Sequence, residues 1–391
     1  MVRTLDSEKI PIKLWLDDME DGALQQAKNL ANLPFAFHHI AIMPDAHFGF
    51  GMPIGGILAA DGVIVPNAVG VDIGCGMCAV KTSLSAIDEG HLKRVMRTIR
   101  QTVPLGFRHH KKPRSHDSMP KTKTGSIDDL PIVRSEYDHA RAQVGTLGGG
   151  NHFIEIQRGF DGMIWFMIHS GSRNLGFRVA SHYNKLAVSL NKRWKISIPA
   201  SWQLAHLPMD DEPGQTYYRE MCYCVEFARA NRALMQKSVQ EALWEQISPD
   251  IEFAEPINIA HNYAALESHF GKRVYVHRKG ATRAMTEDTG IIPGSQGNQS
   301  FIVGGRANPD SFNSCSHGAG RKLGRKQAQR QLDLNREKAQ LEKKKILHSL
   351  RGKKDLDEAP GAYKNIETVM QRQRDLVDII DVLEPLAVIK G

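Results

Sequence analysis

The sequence predicts an α/β fold of mixed α+β type, arranged as a single compact domain over residues 1–391 with short glycine-punctuated strands in central sheets surrounded by helices. Three observations predict it. Apolar runs of strand length alternate with longer stretches of helical periodicity. The strand-like text is broken by many of the chain's 34 glycines, which mark turns and close backbone approaches. No repeat of roughly 20–50 residues and no Gly/Ser or Pro-rich linker divides the chain. With 41% hydrophobic and 24% charged residues the composition is that of a globular protein, which excludes disorder as a whole.

Taken in order, residues 40–84 read as short strands, IAIMPDAH, GGILAADGVIVP and CAVKTSL, separated by glycines between Gly49 and Gly76. Leu92, Val95, Met96, Ile99 and Val103 form a helical stripe opened by Asp88 and closed before Pro104. Residues 106–132 turn irregular and basic, a surface loop in which six Lys or Arg outnumber the acids. The run MIWFMIH is the pattern of a buried strand that delivers His169 to the loop SGSRNLG. Residues 174–194 and 216–247 read as helices, and 250–304 returns to short strands. From 322 to 354 a proline-free charged stretch reads as one long helix. The end gives a loop, an amphipathic helix carrying Ile366, Val369, Met370, Leu376, Val377 and Ile380, and a closing strand LAVIK.

Composition also narrows the function. No apolar run reaches the roughly 18 residues of a membrane span, and MVRTLDSEKI lacks the features of a secretory signal, so a cytoplasmic protein without a membrane partner is expected. Five cysteines are too few for a disulfide framework and point to free thiols or metal ligands. The net charge of +8 favours a polyanionic partner such as nucleic acid.

The densest chemical signal is Gly70-Val71-Asp72-Ile73-Gly74-Cys75-Gly76. A carboxylate and a thiol three residues apart in glycine-rich backbone suit a transition metal better than Mg²⁺ or Ca²⁺. The plainer alternative is a structural Cys beside a turn-capping Asp. Cys75 and Cys78 spell CxxC, but no second pair follows at zinc-ribbon spacing. His152 after three glycines, His169 at a strand end and His261 after PINIA each stand where apolar text meets glycine or polar text, and together they supply the rest of a metal shell. In Cys315-Ser316-His317-Gly318-Ala319-Gly320-Arg321, small residues expose backbone N–H groups, Arg321 offers a phosphate fork, and a helix is expected to start. His317 would then lie beside a bound phosphate as nucleophile or acid/base, the plainer alternative being a glycine turn that caps a basic helix. Residues 293–300, PGSQGNQS, look like a second phosphate-cradling loop, without the Lys of a Walker motif.

The segments MPDAHFGFGMPIGG, VGVDIGCGM, LGGGNHFIEI, HSGSRNLG, HRKGA, GIIPGSQGNQSF, CSHGAGR, AYKNI and the terminal VIKG resemble, in order, the motifs of the RtcB-type RNA ligases. That family joins RNA 2′,3′-cyclic phosphate or 3′-phosphate ends to 5′-hydroxyl ends, in RNA repair or tRNA splicing. It uses GTP and Mn²⁺ through a covalent histidine–GMP intermediate. The resemblance implies that Asp72, Cys75, His152, His169 and His261 hold two Mn²⁺ ions, with Cys75 bridging them. It makes His317 the guanylylated residue, Arg321 its charge-neutralising partner, and Asp45 an acid serving the cyclic-phosphate step or the 5′-hydroxyl attack. Asn151, Glu155, Ser295, Ser300, Tyr363 and Lys390 correspond to guanosine and phosphate contacts. The basic segments 106–124 and 322–354 are expected to meet the RNA backbone. The chain departs from the commonest family pattern at Ala46, Cys78, Gln296 and Gly324, which touches substrate preference and dependence on an archease-type activator rather than the reaction class. Two competing readings are a metal-dependent cyclic phosphodiesterase without ligation and a basic RNA-binding protein with a structural metal.

Overall fold

The computed structural model describes residues 1–122 and 125–391. Lys123 and Thr124, within the predicted basic loop, lie outside the described residues. Two sheets organise the chain. The six-stranded sheet runs Arg3–Leu5, Ile12–Leu14, Ala36–His47, Ile54–Ala60, Lys272–Lys279, Asn262–His269 from edge to edge. The seven-stranded sheet runs Ile257–Ala260, Gly76–Lys81, Ile164–Ser170, Phe153–Gly159, Val377–Lys390, Ser300–Gly305, Thr289–Ile292. Pairing is antiparallel throughout the second sheet, and the first has one parallel pair, Ile12–Leu14 beside Ala36–His47. The mixed α+β class therefore holds, in one compact domain, although the helices between strands do not build parallel crossover units.

The second sheet is covered on both faces, which explains why its central strands read as unbroken apolar runs. Successive side chains alternate: Phe166 and Ile168 pack with Val95, Ile99, Met235 and Leu243 on one side, and Trp165 and Met167 pack with Leu341, Ile346 and Leu350 on the other. The helix Glu89–Thr102 supplies Leu92, Val95, Met96 and Ile99 as the spacing predicts, and Asp88 caps it by accepting from His91 N–H at 2.9 Å. The 35-residue helix Glu212–Gln246 packs with Arg173–Arg193 and Pro131–Gln143 around Tyr217 and Phe227. Among the described residues no helix is long and apolar enough to cross a membrane.

Three expected elements differ. The charged stretch 322–354 is not one helix. It forms Arg325–Gln331 and Leu334–Lys343, then leaves helical geometry until the 3-10 turn Lys353–Glu358. Asp333 caps the second helix by accepting from Arg336 N–H at 2.8 Å, and Lys345 at φ +55° ends the run, so caps override good helix composition. The amphipathic helix stops at Arg372, and Val377 and Ile380 belong instead to the 14-residue strand Val377–Lys390, where Val377 pairs with Gly305 and Ile380 stands exposed at a register shift. No helix starts at 315–321: Ser314–Ser316 is a strand paired with Ala281–Arg283, followed by a loop.

Candidate active site

The two sheets meet at His261, the single residue between Ile257–Ala260 of one and Asn262–His269 of the other. Its N–H donates to Cys75 O at 2.8 Å, and Cys75 N–H donates to Asp72 O at 3.1 Å. Cys75 immediately precedes Gly76–Lys81, His152 precedes Phe153–Gly159, and His169 lies near the end of the strand between these two. The antiparallel register sets Met77 and Phe153 against His169. Sheet pairing therefore gathers three sequence-distant side chains at one sheet end.

Cys75 Sγ lies 3.3 Å from His169 Nε2 and 3.5 Å from His152 Nε2, and one ligand atom from each of the three falls within 4.8 Å of the others. Asp72 Oδ2 is 3.2 Å from His152 Nε2. His152 Nδ1 is 3.0 Å from Leu147 O and His169 Nδ1 is 3.1 Å from Asn151 O. Protons held on those Nδ1 atoms by backbone carbonyls leave the Nε2 lone pairs facing the thiol, as in metal-binding histidines. The His261 ring stands 5.3 Å from that of His169, and its buried Nδ1 has no hydrogen-bond partner. A buried orphan nitrogen beside sulfur, imidazole and carboxylate donors is what a transition-metal cation would satisfy.

Charge states agree. Burial, with the neighbouring rings adding to it, holds His169 and His261 well below the usual imidazole range, so both rings are neutral. Loss of solvation opposes the Asp72 charge, yet its contacts with His152 win and bring the carboxyl down to about 2. Burial and Asp72 push the Cys75 thiol up, so it stays protonated by itself and a bound cation would have to displace that proton.

Next to this cluster is a cavity of about 520 Å³. His169 borders it, as do Asn151, Glu155, Ser295, His317, Arg321, Tyr363 and Lys390. The His317 ring is 4.8 Å from that of His261. Behind it the fully buried Asp45 accepts from the backbone N–H groups of His317 and Gly318 at 3.1 and 3.2 Å. His317 Nδ1 lies 2.7 Å from Asp45 Oδ2, out of line for a straight hydrogen bond. Burial opposes ionisation of Asp45, but the His317 charge and contact keep its carboxyl below the ordinary range. Gly320, at φ +72°, lets the HGAGR loop approach: a Cβ there would sit 2.1 Å from Asp45 O. Ser300 does not line the cavity. Its hydroxyl accepts from Gly294 N–H and Gln157 Nε2 and so holds the 293–300 loop against Phe153–Gly159.

Residues 26–391 match the family profile described as tRNA-splicing ligase RtcB. The chain belongs to that family. It is 37% identical to the RNA-splicing ligase RtcB of Escherichia coli strain K12, covering 99% of each chain. It is 31% identical to the tRNA-splicing ligase RtcB of Thermococcus kodakarensis, covering 98% of this chain and 95% of that one. The corresponding protein of Methanococcus maripaludis is 32% identical over 99% and 96%.

In this RtcB chain the structure adds two residues that the sequence reading passed over. Arg173 has a left-handed backbone at φ +57°, and its guanidinium fills the space where a Cβ on Gly148 would stand. Burial lowers its pKa, while Asp72 and Cys75 pull the other way, so its cation faces the metal cluster. It lies in the quoted HSGSRNLG motif, which was the available signal. Glu358 is a buried hub: it accepts from Arg321 Nη1 at 3.1 Å and Lys390 Nζ at 3.2 Å, and from the Tyr363 hydroxyl. The Arg321 fork is thus engaged with protein groups, Glu358, Leu323 O and Asp357 O, rather than open to solvent. Glu358 directly precedes the APGAYKNI text, a signal of proximity without one of role.

Proposed function

We propose that this enzyme acts in the cytoplasm as a GTP-dependent RNA ligase, joining 3′-phosphate or 2′,3′-cyclic phosphate ends to 5′-hydroxyl ends through a His317–GMP adduct. One observation carries the reading. His317 stands between a buried carboxylate and a soft-donor metal cluster, with its ring on the wall of a nucleotide-sized cavity.

Asp72, Cys75, His152, His169 and His261 would hold two Mn²⁺ ions, which when bound supply Lewis-acid neutralisation of phosphoryl charge. The chain's own residues do the rest. Asp45 holds the backbone N–H groups of His317 and Gly318 and faces the Nδ1 side of the ring, leaving Nε2 to attack the α-phosphorus of GTP. The P–N bond forms as the bond to pyrophosphate breaks, and Asp45 offsets the positive imidazolium charge. Glu155 and Lys390 address the guanine edge, and the Tyr363 ring offers a stacking face. Ser295 and Asn151 bind phosphate or ribose, while Arg321 exchanges Glu358 for a phosphate oxygen. A cyclic phosphate is first hydrolysed to the 3′-phosphate. A 3′-phosphate oxygen then takes GMP from His317, which leaves with its lone pair, giving a 3′-pp-G end. The 5′-hydroxyl oxygen attacks the RNA phosphorus, loses its proton, and GMP departs. Adding an archease-type protein tests whether turnover depends on an activator.

The deciding experiment uses GTP labelled at the α-phosphate with Mn²⁺, followed by denaturation. Wild type is expected to retain acid-labile label and His317→Ala to retain none. Absence of label on folded, metal-loaded wild type overturns the reading in favour of a phosphodiesterase or a binding protein.

A further inference from the structure

The predicted basic loop begins with a turn whose placement is fixed at both ends. Gly106 N–H donates to Gly148 O at 3.0 Å, Leu147 N–H donates to Pro104 O at 3.0 Å, and Leu105 bridges Gly148. Arg108 N–H closes the turn on Leu105 O at 3.2 Å, with Gly106 at φ +63°. Farther on, His110 N–H donates to Ala142 O and Arg114 N–H to Arg141 O. The tip of this anchored turn is Phe107, 98% exposed. A hydrophobic ring on a pinned backbone differs from one on a dangling segment: its point of attachment is set.

Two further facts give the ring a context. Gly148 and Gly149, against which Gly106 packs, lead directly into Asn151 of the cavity wall and His152 of the metal cluster. Phe107 therefore follows directly on the residue that is tied to the glycine loop leading into the cavity wall. Arg108, Lys111, Lys112 and Arg114 follow it, all exposed, and among the described residues none of them pairs with a carboxylate. On the other side of the glycine loop the Arg325 guanidinium lies against Gly150. An aromatic face set among unpaired cations is the arrangement that binds single-stranded nucleic acid, the ring stacking on a base while the charges follow the backbone.

We propose that Phe107 is a stacking platform for an unpaired base of the RNA strand next to the ligation junction. It positions that strand; the ligation chemistry stays with His317 and the metal cluster. The inference rests on the RNA-ligase reading above, and it goes beyond general backbone attraction by assigning one ring to one base. Phe160 provides the internal comparison. It is 90% exposed, but lies in the turn after Phe153–Gly159, at the strand end away from the cavity that Phe153 lines.

The test measures ligation of single-stranded oligonucleotides by wild type, Phe107→Ala, Phe107→Trp and Phe160→Ala, with 2-aminopurine placed at successive positions from each end. A stacked base is worth on the order of tenfold in affinity. In Phe107→Ala the KM for RNA should rise about tenfold with kcat within about twofold, while Phe107→Trp restores it and Phe160→Ala leaves it as in wild type. The fluorescence of 2-aminopurine should be quenched at one position by wild type and Phe107→Trp, and not by Phe107→Ala. An unchanged KM in Phe107→Ala, an equal rise in Phe160→Ala, or a Phe107→Ala defect confined to a protein activator overturns the proposal. Wild type that neither takes label from GTP nor ligates brings down the function reading itself, a result distinct from any of these.

Discussion

Two groups of buried histidines in this molecule share residue type and burial and differ in what their ring nitrogens face. In the six-stranded sheet, His277 Nε2 accepts from Val65 N–H at 2.9 Å, and its Nδ1 lies 3.0 Å from Tyr275 O. His39 places Nε2 2.7 Å from Asp310 O and stacks on Phe312. Both rings are consumed by the fold, and burial brings each pKa down to about 4. In the cluster at the end of the other sheet, His152 and His169 spend only Nδ1 on backbone carbonyls and keep Nε2 toward Cys75. Burial alone therefore does not mark a ligand; an unspent nitrogen beside a soft donor does.

The strongest test of that contrast is to remove ligands. Cys75→Ala and His169→Ala should lose ligation by at least about 10³-fold, read by gel-resolved RNA joining. Mn²⁺ at about 100 times its Kd should stabilise wild type by about 2.7 kcal/mol in thermal unfolding, and these variants far less. Stabilisation of Cys75→Ala equal to that of wild type would break the comparison.

His277→Ala should behave in the opposite way. It opens a cavity and strands the Val65 N–H, costing about 2–4 kcal/mol of unfolding free energy, while metal content per folded chain stays that of wild type. Metal analysis of the purified variant checks this, and loss of metal would place His277 on the wrong side of the division.

The smallest expected effect sharpens the boundary between cluster and cavity. Burial pushes Glu155 up to about 8, against the pull of Lys390 and Gln157. On the proposed guanine contact, the N1 and N2 donors would bind the ionised carboxylate, so below pH 8 GTP binding would release a proton. Affinity should then rise up to about tenfold per pH unit as pH increases toward 8 and level off above it. Glu155→Gln should flatten the profile, as titration calorimetry at several pH values would show.

Local pattern carried much of this. The Asp88-capped helix, the buried strand ending near His169 and the glycine-flanked Asp72 and Cys75 were legible because each depends on neighbours in sequence. What escaped depends on distant partners. Arg321 looked like an open phosphate fork because Glu358 lies 37 residues away. The stretch after Lys322 has helix-forming composition, yet the Asp333 cap and the packing of Leu341 and Leu350 divide it. Val377 and Ile380 satisfy helical spacing, but pairing of the segment with Ser300–Gly305 made it a strand, with Val377 buried and Ile380 exposed at a register shift.

The strand Val377–Lys390 lies between Phe153–Gly159 and Ser300–Gly305, and it brings Lys390 to Glu358 and Gly391 N–H to His152 O. That position sets a timetable for synthesis. Until the ribosome has released this strand, its two neighbours are unpaired edges, the kind of surface that invites aggregation and chaperone attention. A nascent chain lacking it has neither a continuous sheet nor Lys390 in the cavity, so both the sheet and the cavity wall are completed only once translation has passed residue 390.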